Sequence, residues 1–218
     1  MPAPAVSTSA DPLQALPASL RKLAASGVMR RYRTHAVLIG EGDQGGSIFI
    51  VVSGRLRAFV SDVRGREVTL GYHAPGEYVG EMSLDNGPRS ASVEAVAPTV
   101  CVVVTRDAML SHIASDAEFA MGLIVRLIKR ARLATESARS MALLDVYSRL
   151  RRLLEERAKL RPEGVRRIEE RLTHQAIASE IGCSREMVSR LLKDLEAGGY
   201  VRVEASRLVL ASELPARW

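Results

Sequence analysis

Residues 172–195 constrain the fold of this chain most strongly, because two short helical patterns flank a single glycine there. Thr173 and Ser184 each stand where an N-cap residue would begin a helix. Gly182 lies between the two patterns and can adopt a positive φ without steric cost. Apolar residues follow helical spacing on both sides of it: Ala176, Ile177, Ile181, Val188, Leu191, Leu192 and Leu195. The stretch predicts two helices joined by a tight turn.

The polar face of the second helix indicates what such a helix pair would bind. Opposite the apolar residues lie Arg185, Glu186, Ser189, Arg190 and Lys193. Arginine can donate two hydrogen bonds to a guanine edge, and glutamate can accept one from cytosine. A helix with this face enters the major groove in helix-turn-helix proteins. The alternative interpretation is an ordinary helical hairpin with a solvated charged face.

The residues that follow favour the DNA-binding interpretation. Gly198 and Gly199 end the second helix, and two β-type runs, 200–203 and 207–210, surround a turn at 204–206. A β-hairpin at this place is the wing of a winged helix-turn-helix. The predicted DNA contacts are Thr173, His174, Gln175, Ser184, Arg185, Glu186, Ser189, Arg190 and Lys193.

The positive charge is concentrated in the same half of the chain. The 218 residues carry a net charge of +6. Residues 1–125 hold 11 basic and 12 acidic side chains, whereas residues 126–218 hold 20 basic and 13 acidic ones. A basic C-terminal half suits a polyanionic partner, and the helix-turn-helix pattern makes double-stranded DNA a better fit than a membrane surface.

The N-terminal half has a different character. Between about residues 33 and 104, glycines recur at short intervals and separate β-rich runs such as 47–52 and 55–60. Short strands with regular glycine punctuation predict a compact β-barrel or roll.

One segment of this β domain carries the residue types of a phosphate site. Arg89 immediately precedes two small residues, Ser90 and Ala91, and lies eight positions after Glu81. A guanidinium, a hydroxyl and accessible backbone N–H groups together bind a phosphate well, and a nearby carboxylate can accept a hydrogen bond from a ribose hydroxyl. The alternative is that Arg89 and Glu81 form a surface ion pair that braces a loop.

These segments resemble a known family. Gly80-Glu81-Met82-Ser83-Leu84, followed by Pro88-Arg89-Ser90-Ala91, resembles the phosphate-binding cassette of cyclic-nucleotide-binding domains. With Gly182-Cys183-Ser184-Arg185-Glu186 and Arg190, the chain resembles the CRP/FNR family of bacterial transcription regulators from about residue 30 onward. The resemblance implies an α+β fold with an N-terminal cyclic-nucleotide-binding β-roll, a long dimerisation helix and a C-terminal winged helix-turn-helix.

The resemblance also implies roles for individual residues. The ligand-binding set would be Gly80, Glu81, Met82, Arg89, Ser90, Ala91 and Thr135. Glu81 would bond the ribose hydroxyl, Arg89 would pair with the cyclic phosphate, and Thr135 would reach the purine from the long helix. On the DNA side, the family pairs residues of these types with a two-fold symmetric site of TGTGA-like half-sites.

The resemblance leaves two ligands open, and a regulator of the same architecture that acts without a nucleotide is a further alternative. Cyclic AMP is the first expectation, although Ala134 stands where cyclic-AMP binders of the family usually have threonine. Some relatives respond instead to cyclic di-GMP, whose two phosphates would suit the nearby Arg130, Arg132 and Arg139.

The connecting segment, from Phe119 to about Leu144, predicts one long helix. A heptad stripe runs along it, composed of Ile124, Leu127, Ala131, Ala134, Ala138 and Met141. The stripe could pack on the chain's own β domain, but Leu123 and Ile128 offer a second apolar strip for that purpose. A parallel homodimer is therefore the preferred interpretation.

The domain boundaries follow from these assignments. We expect a flexible arm over residues 1–18, the β-roll over 19–115, the dimerisation helix over 116–145 and the DNA-binding domain over 146–218.

Other functional classes find little support. Cys101 and Cys183 are far apart in the sequence and are expected to be reduced, so two cysteines cannot supply the four ligands of an iron–sulfur cluster. The N-terminus lacks a secretory signal, and a cytoplasmic location is expected. We predict no catalytic residues and no metal site; RNA polymerase is a possible further partner, and a regulatory subunit without DNA readout is the rival class.

Overall fold

The structure of the protein, a computed structural model, describes residues 12–161 and 165–218. These residues divide into two compact units, one formed by 12–59 and 71–127 and the other by 60–70 and 128–218. The boundary between the two units, at residues 127 and 128, falls inside the predicted long helix (116–145) and not at either end of it. Strands dominate the first unit and helices the second, which confirms the predicted α+β fold.

The N-terminal part of the chain contains eight strands, and residues 60–70, which include the facing ends of the fourth and fifth strands, group with the second unit. A 3-10 helix (Pro12–Ala15) and α1 (Ala18–Ala24) come before them. The strands are β1 (Val28–Tyr32), β2 (Val37–Ile39), β3 (Ile48–Ser53), β4 (Leu56–Ser61), β5 (Glu67–His73), β6 (Tyr78–Val79), β7 (Ser92–Ala95) and β8 (Thr99–Val104). They form two four-stranded sheets, in the orders β1-β8-β3-β6 and β2-β7-β4-β5. Two helices follow, α2 (Arg106–Ser115) and α3 (Ala117–Leu143).

Strand β3 is buried on both faces, which explains its unbroken apolar sequence. Ile48 and Ile50 belong to a cluster with apolar residues of α1, α2 and the start of α3. Phe49 and Val51 belong to a second cluster, which lies between the two sheets. Because side chains alternate along a strand, one strand supplies both cores of the roll.

The second unit contains the C-terminal elements. They are α4 (Val146–Arg157), β9 (Ala158–Leu160), β10 (Arg166–Ile168), α5 (His174–Ile181), α6 (Arg185–Ala197), β11 (Val201–Glu204) and β12 (Arg207–Leu210). The strands form one sheet in the order β11-β12-β10-β9. A single core unites the three helices with this sheet, and the four predicted apolar residues of α6 are all buried in it.

The helix-turn-helix and its wing follow the prediction closely. Thr173 and Ser184 cap α5 and α6 by accepting hydrogen bonds from Ala176 N and Met187 N, and Gly182 has φ 67°. The predicted wing needs one correction. Glu204 belongs to β11, and the turn contains only Ala205 and Ser206, both with positive φ (47° and 62°).

Two predictions about flanking segments were wrong. The flexible arm was expected to reach residue 18, but Leu16 is only 3% exposed and packs in the core with α1; residues 1–11 lie outside the described part of the chain. In α3, Leu123 is buried as expected, whereas Ile128 is 47% exposed and gives the helix no second buried strip.

Both cysteines are free, as predicted. Cys101 is buried, and the resulting loss of hydration raises the pKa of its thiol to about 12, so that it stays protonated at neutral pH. Within the described ranges, no single helix is long and apolar enough to span a membrane. The helices α2 and α3, which are bent by 113° relative to each other, have the required length and composition only when they are taken together.

Asp145 caps the N-terminus of α4. Asp145 accepts a hydrogen bond from Ser148 N at 2.7 Å, and this bond lowers the pKa of its carboxyl below the ordinary value. Replacing Asp145 with Ala should reduce the free energy of unfolding by about 1 kcal/mol at neutral pH. Because the folded-state pKa is the lower one, this contribution is present above an ordinary carboxyl pKa of about 3.9 and is lost as the pH falls through the folded value.

Urea unfolding, followed by fluorescence of the single tryptophan, measures this contribution. Trp218 stacks on Tyr147 in the first turn of α4, with ring centroids 5.8 Å apart. Asp194→Ala, at an exposed position inside α6 where the carboxylate caps no helix, is the matched control in the same unit and should leave the transition little changed. A difference between wild type and Asp145→Ala that does not narrow at acidic pH would contradict the capping role.

Candidate functional site

The phosphate-binding candidate is built around a tight turn after β6. Gly80 has φ 96°, and a 3-10 helix (Glu81–Asp85) begins immediately after it. A Cβ atom placed on Gly80 would lie 2.7 Å from the carbonyl oxygen of Ser47 and 3.0 Å from Nη1 of Arg89. Glycine is therefore needed here both for the backbone conformation and for the close approach of the arginine.

Arg89 is a buried cation held by oxygen atoms of the protein. Its side chain is 8% exposed. Nη1 donates to the carbonyl oxygen of Gly80 (3.0 Å) and to Oγ of Ser83 (2.8 Å), and Nη2 donates to the carbonyl oxygen of Ser47 (2.8 Å). A guanidinium has five N–H groups, and these three bonds leave two of them for an anion, as far as the described residues show.

Burial and nearby carboxylates act on Arg89 in opposite directions. Desolvation lowers the pKa of its guanidinium, while the charges of Asp43 and Glu81 raise it. Since arginine is effectively always protonated in proteins, the side chain remains a cation with reduced hydration. A cation in such surroundings attracts a phosphate more strongly than an exposed one does.

The loop before β3 holds the backbone of Arg89 in place. Arg89 N donates to the carbonyl oxygen of Asp43, and Gly42 N donates to that of Arg89, both at 2.9 Å. Sequence reasoning missed this loop as part of the site. The glycine-rich run 40–46 was the available signal, but nothing local pairs it with a residue more than forty positions away.

The predicted ligand residues are brought together only in part. Glu81 is buried (3% exposed) beside Arg89, so the interpretation of the two as a surface ion pair was wrong. Ser90 is exposed, Ala91 is half-buried, and Met82 is 52% exposed. Thr135 lies in the other unit, exposed, with its hydroxyl donating to the carbonyl oxygen of Ala131 at 3.0 Å. Its contact with a purine therefore stays a prediction.

A second arginine supports the 3-10 helix from the outside. Arg106, the first residue of α2, donates from Nε (3.0 Å) and Nη2 (2.7 Å) to the carbonyl oxygen of Leu84. A cleft of about 260 Å³ lies beside it, lined by Gln44, Gly45, Gly46, Ser83, Asn86, Gly87 and Arg106. Arg106 was not predicted from the sequence.

The candidate nucleic-acid interface lies on α5 and α6. Thr173, His174 and Gln175 are exposed at the N-terminal end of α5, and Arg185, Glu186, Arg190 and Lys193 are exposed along α6. Two contacts organise this surface: Nδ1 of His174 lies 2.7 Å from Oγ of Ser189, and Nη2 of Arg190 lies 3.0 Å from the sulfur of Met187. A thioether is a weak acceptor, so Arg190 can leave it for a base edge at little cost.

Arg149 connects the end of α3 to the turn before α6. Its Nε donates to the carbonyl oxygen of Ile181 (2.8 Å), and its Nη1 donates to that of Leu144 (2.9 Å). The last carbonyl groups of a helix have no partner within the helix, and one cation serves two of them. The position of α6 is therefore tied to the residues that follow the long helix.

Two family models match the chain. The cyclic nucleotide-binding domain model matches residues 29–116, and the model for bacterial regulatory proteins of the crp family matches residues 171–200. The first range contains the cassette around Arg89, and the second contains the helix-turn-helix.

Whole-chain relatives extend this agreement. The cAMP-activated global transcriptional regulator Vfr of Pseudomonas aeruginosa is 31% identical over 201 residues, which cover 88% of this chain and 92% of Vfr. The CRP-like protein Clp of Xanthomonas axonopodis is 32% identical over 217 residues, covering 93% and 92%. The solved structure of the c-di-GMP responsive global regulator CLP of Xanthomonas campestris matches with a TM-score of 0.77 and 29% identity, covering 89% of this chain and 98% of that one.

The roll, the cassette and the winged helix-turn-helix thus define a transcription regulator with a cyclic-nucleotide-binding domain. The chain belongs to the crp family of bacterial regulatory proteins.

Proposed function

We propose that the protein binds a cyclic nucleotide at Arg89 and that this ligand controls its binding to a two-fold symmetric DNA site. The observation that carries the proposal is the buried, fixed guanidinium of Arg89 with donors left for a phosphate. A hydrogen bond from a charged donor to a phosphate contributes more binding free energy at a desolvated site than at the surface. Cyclic AMP is the first candidate ligand, because Vfr, a relative over most of the chain, is cAMP-activated.

Cyclic di-GMP is the second candidate, and a specific observation favours it. The solved relative with the TM-score of 0.77 is c-di-GMP responsive, and this ligand carries two phosphates. Arg130, Arg132 and Arg139 on α3 would offer it further positive charge. Direct calorimetric titration with cyclic AMP, cyclic GMP and cyclic di-GMP separates the candidates.

We infer that the working form is a parallel homodimer formed through α3. The heptad stripe is exposed along the whole helix in the single chain: Ile124 (48%), Leu127 (37%) and Met141 (43%) flank exposed Ala131, Ala134 and Ala138. Apolar residues with this periodicity need a partner, and small alanines allow a second helix to approach closely. A dimer would place two recognition helices in successive major grooves.

The remaining proposals concern partners and location. Binding without catalysis, a cytoplasmic location and contact with RNA polymerase fit a regulator of this family. The rival, a regulatory subunit without DNA readout, is disfavoured by the exposed Arg185, Glu186 and Arg190 on one face of α6. A gel shift on genomic fragments distinguishes the two, because only the regulator selects particular sequences.

Replacing Arg89 with Glu should abolish nucleotide binding, because a carboxylate would then face the phosphate of the ligand. Calorimetry should show a loss of roughly a hundredfold or more, while weak DNA binding survives because α5 and α6 belong to a separate core. Thermal melting shows whether the N-terminal unit of the variant is still folded. DNA affinity should also stop responding to nucleotide, since a ligand acts only through its differential affinity for two states. Thr135→Ala should give a milder loss that depends on the base.

Arg64→Glu, at an exposed position between β4 and β5 where only the backbone N–H contacts Asp62, serves as the charge-matched control and should bind nucleotide as the wild type does. If the Arg89 variant binds as well as the wild type, the ligand lies elsewhere.

Replacing Arg190 with Ala should cost about 1–3 kcal/mol per half-site on the best DNA sequence and relax the preference for a TGTGA-like half-site. Fluorescence anisotropy with specific and scrambled duplexes measures both effects. Equal weakening on the two duplexes would mean that Arg190 touches phosphate only, and base readout by this residue would be rejected.

Replacing Ala131 or Ala138 with Glu should convert the dimer to a monomer, because like charges would meet across a close-packed seam. Light scattering reports the mass directly. Lys129→Glu, an exposed charge change off the stripe, should leave the dimer intact. A dimer that persists in both alanine variants would place the interface outside this stripe.

A further inference from the structure

The hydroxyl of Ser83 accepts a hydrogen bond from one N–H group of Arg89. The side chain of Ser83 is 2% exposed and sits in the 3-10 helix. Oγ accepts a hydrogen bond from Nη1 of Arg89 at 2.8 Å and donates one to the carbonyl oxygen of Gly80, also at 2.8 Å. The hydrogen bond to Gly80 therefore fixes the orientation in which the hydroxyl accepts from the guanidinium.

The three acceptors around Arg89 are not equivalent. Two are backbone carbonyls, of Gly80 and Ser47, and they hold the two terminal nitrogens whatever the side chains are. Ser83 is the side chain among the three, so it alone can be removed by substitution or can rotate away. Without it, the guanidinium would stay in place and would have one more buried N–H group to satisfy.

We propose that Ser83 sets the affinity of the nucleotide site, acting as an internal competitor of the phosphate for Arg89. With Ser83 present, a ligand phosphate binds the two N–H groups of Arg89 that the protein leaves unused, and it gains a third, on Nη1, only by displacing the hydroxyl. With Ser83 absent, the same phosphate would satisfy a buried donor that has lost its partner, and leaving such a donor unsatisfied is costly. The inference rests on the proposed binding of a cyclic phosphate at Arg89.

The proposal predicts that Ser83→Ala binds nucleotide more tightly than the wild type. Calorimetric titration of the full-length protein with cyclic AMP, cyclic GMP and cyclic di-GMP, at one salt concentration, should show a gain of about tenfold, the value of one hydrogen bond to a charged donor. Because the competition is for phosphate and not for the base, cyclic AMP and cyclic GMP should gain by the same factor.

Two further variants make the test specific. Ser83→Gly also removes the hydroxyl and should reproduce the gain. Ser26→Ala removes a hydroxyl that donates to the carbonyl oxygen of Leu23 at 2.7 Å and that contacts neither Arg89 nor the loop 40–46 among the described residues; it should bind as the wild type does. Thermal melting of each variant shows whether the domain is folded.

The outcomes separate this inference from the proposed function. Unchanged or weaker binding by both Ser83 variants, with a wild type that binds, overturns the competitor role and leaves the proposed function standing. Binding by the variants but not by the wild type supports the competitor role in its strongest form. No binding by any of the proteins overturns both the inference and the proposed function.

Discussion

The burial of one guanidinium organises the N-terminal unit. Arg89 loses most of its hydration. Its charged side chain is stabilised in this buried position because backbone carbonyls and a hydroxyl accept hydrogen bonds from its N–H groups. This arrangement requires Gly80, since a side chain there would meet both Arg89 and the carbonyl of Ser47. It also requires the loop near Asp43, which pairs with the backbone of Arg89. A phosphate would thus find a receptor that is already ordered, so little of its binding energy would be spent on fixing the side chain.

The C-terminal unit depends on a similar use of arginine. Arg149 satisfies carbonyl groups at the ends of two helices and links the residues after α3 to the turn at Gly182. The capping carboxylate of Asp145 begins α4 at the same junction. A change at the end of the long helix would therefore reach the recognition helix through specific hydrogen bonds. This gives a physical basis for control of DNA binding, because the two sites can be coupled only through an element that both of them bias.

Local rules were enough to predict the helix-turn-helix from the sequence. The caps Thr173 and Ser184, the turn at Gly182 and the buried face of α6 depend on residues a few positions apart. The cassette was found by its resemblance to a family, but its geometry was not. The contacts of Arg89 with Ser47 and Asp43 span more than forty residues and leave no local pattern. The positive φ angles of Ala205 and Ser206 could not be predicted from the sequence either, because such conformations favour glycine and asparagine.

We propose that nucleotide binding at Arg89 and specific DNA binding are coupled. The most direct test of this coupling is a calorimetric titration of the wild type with nucleotide, in the absence and in the presence of a saturating specific duplex. Coupling is reciprocal, so DNA should change nucleotide affinity by the same factor by which nucleotide changes DNA affinity, and a scrambled duplex should not. Equal nucleotide affinities with and without the specific duplex would contradict the account.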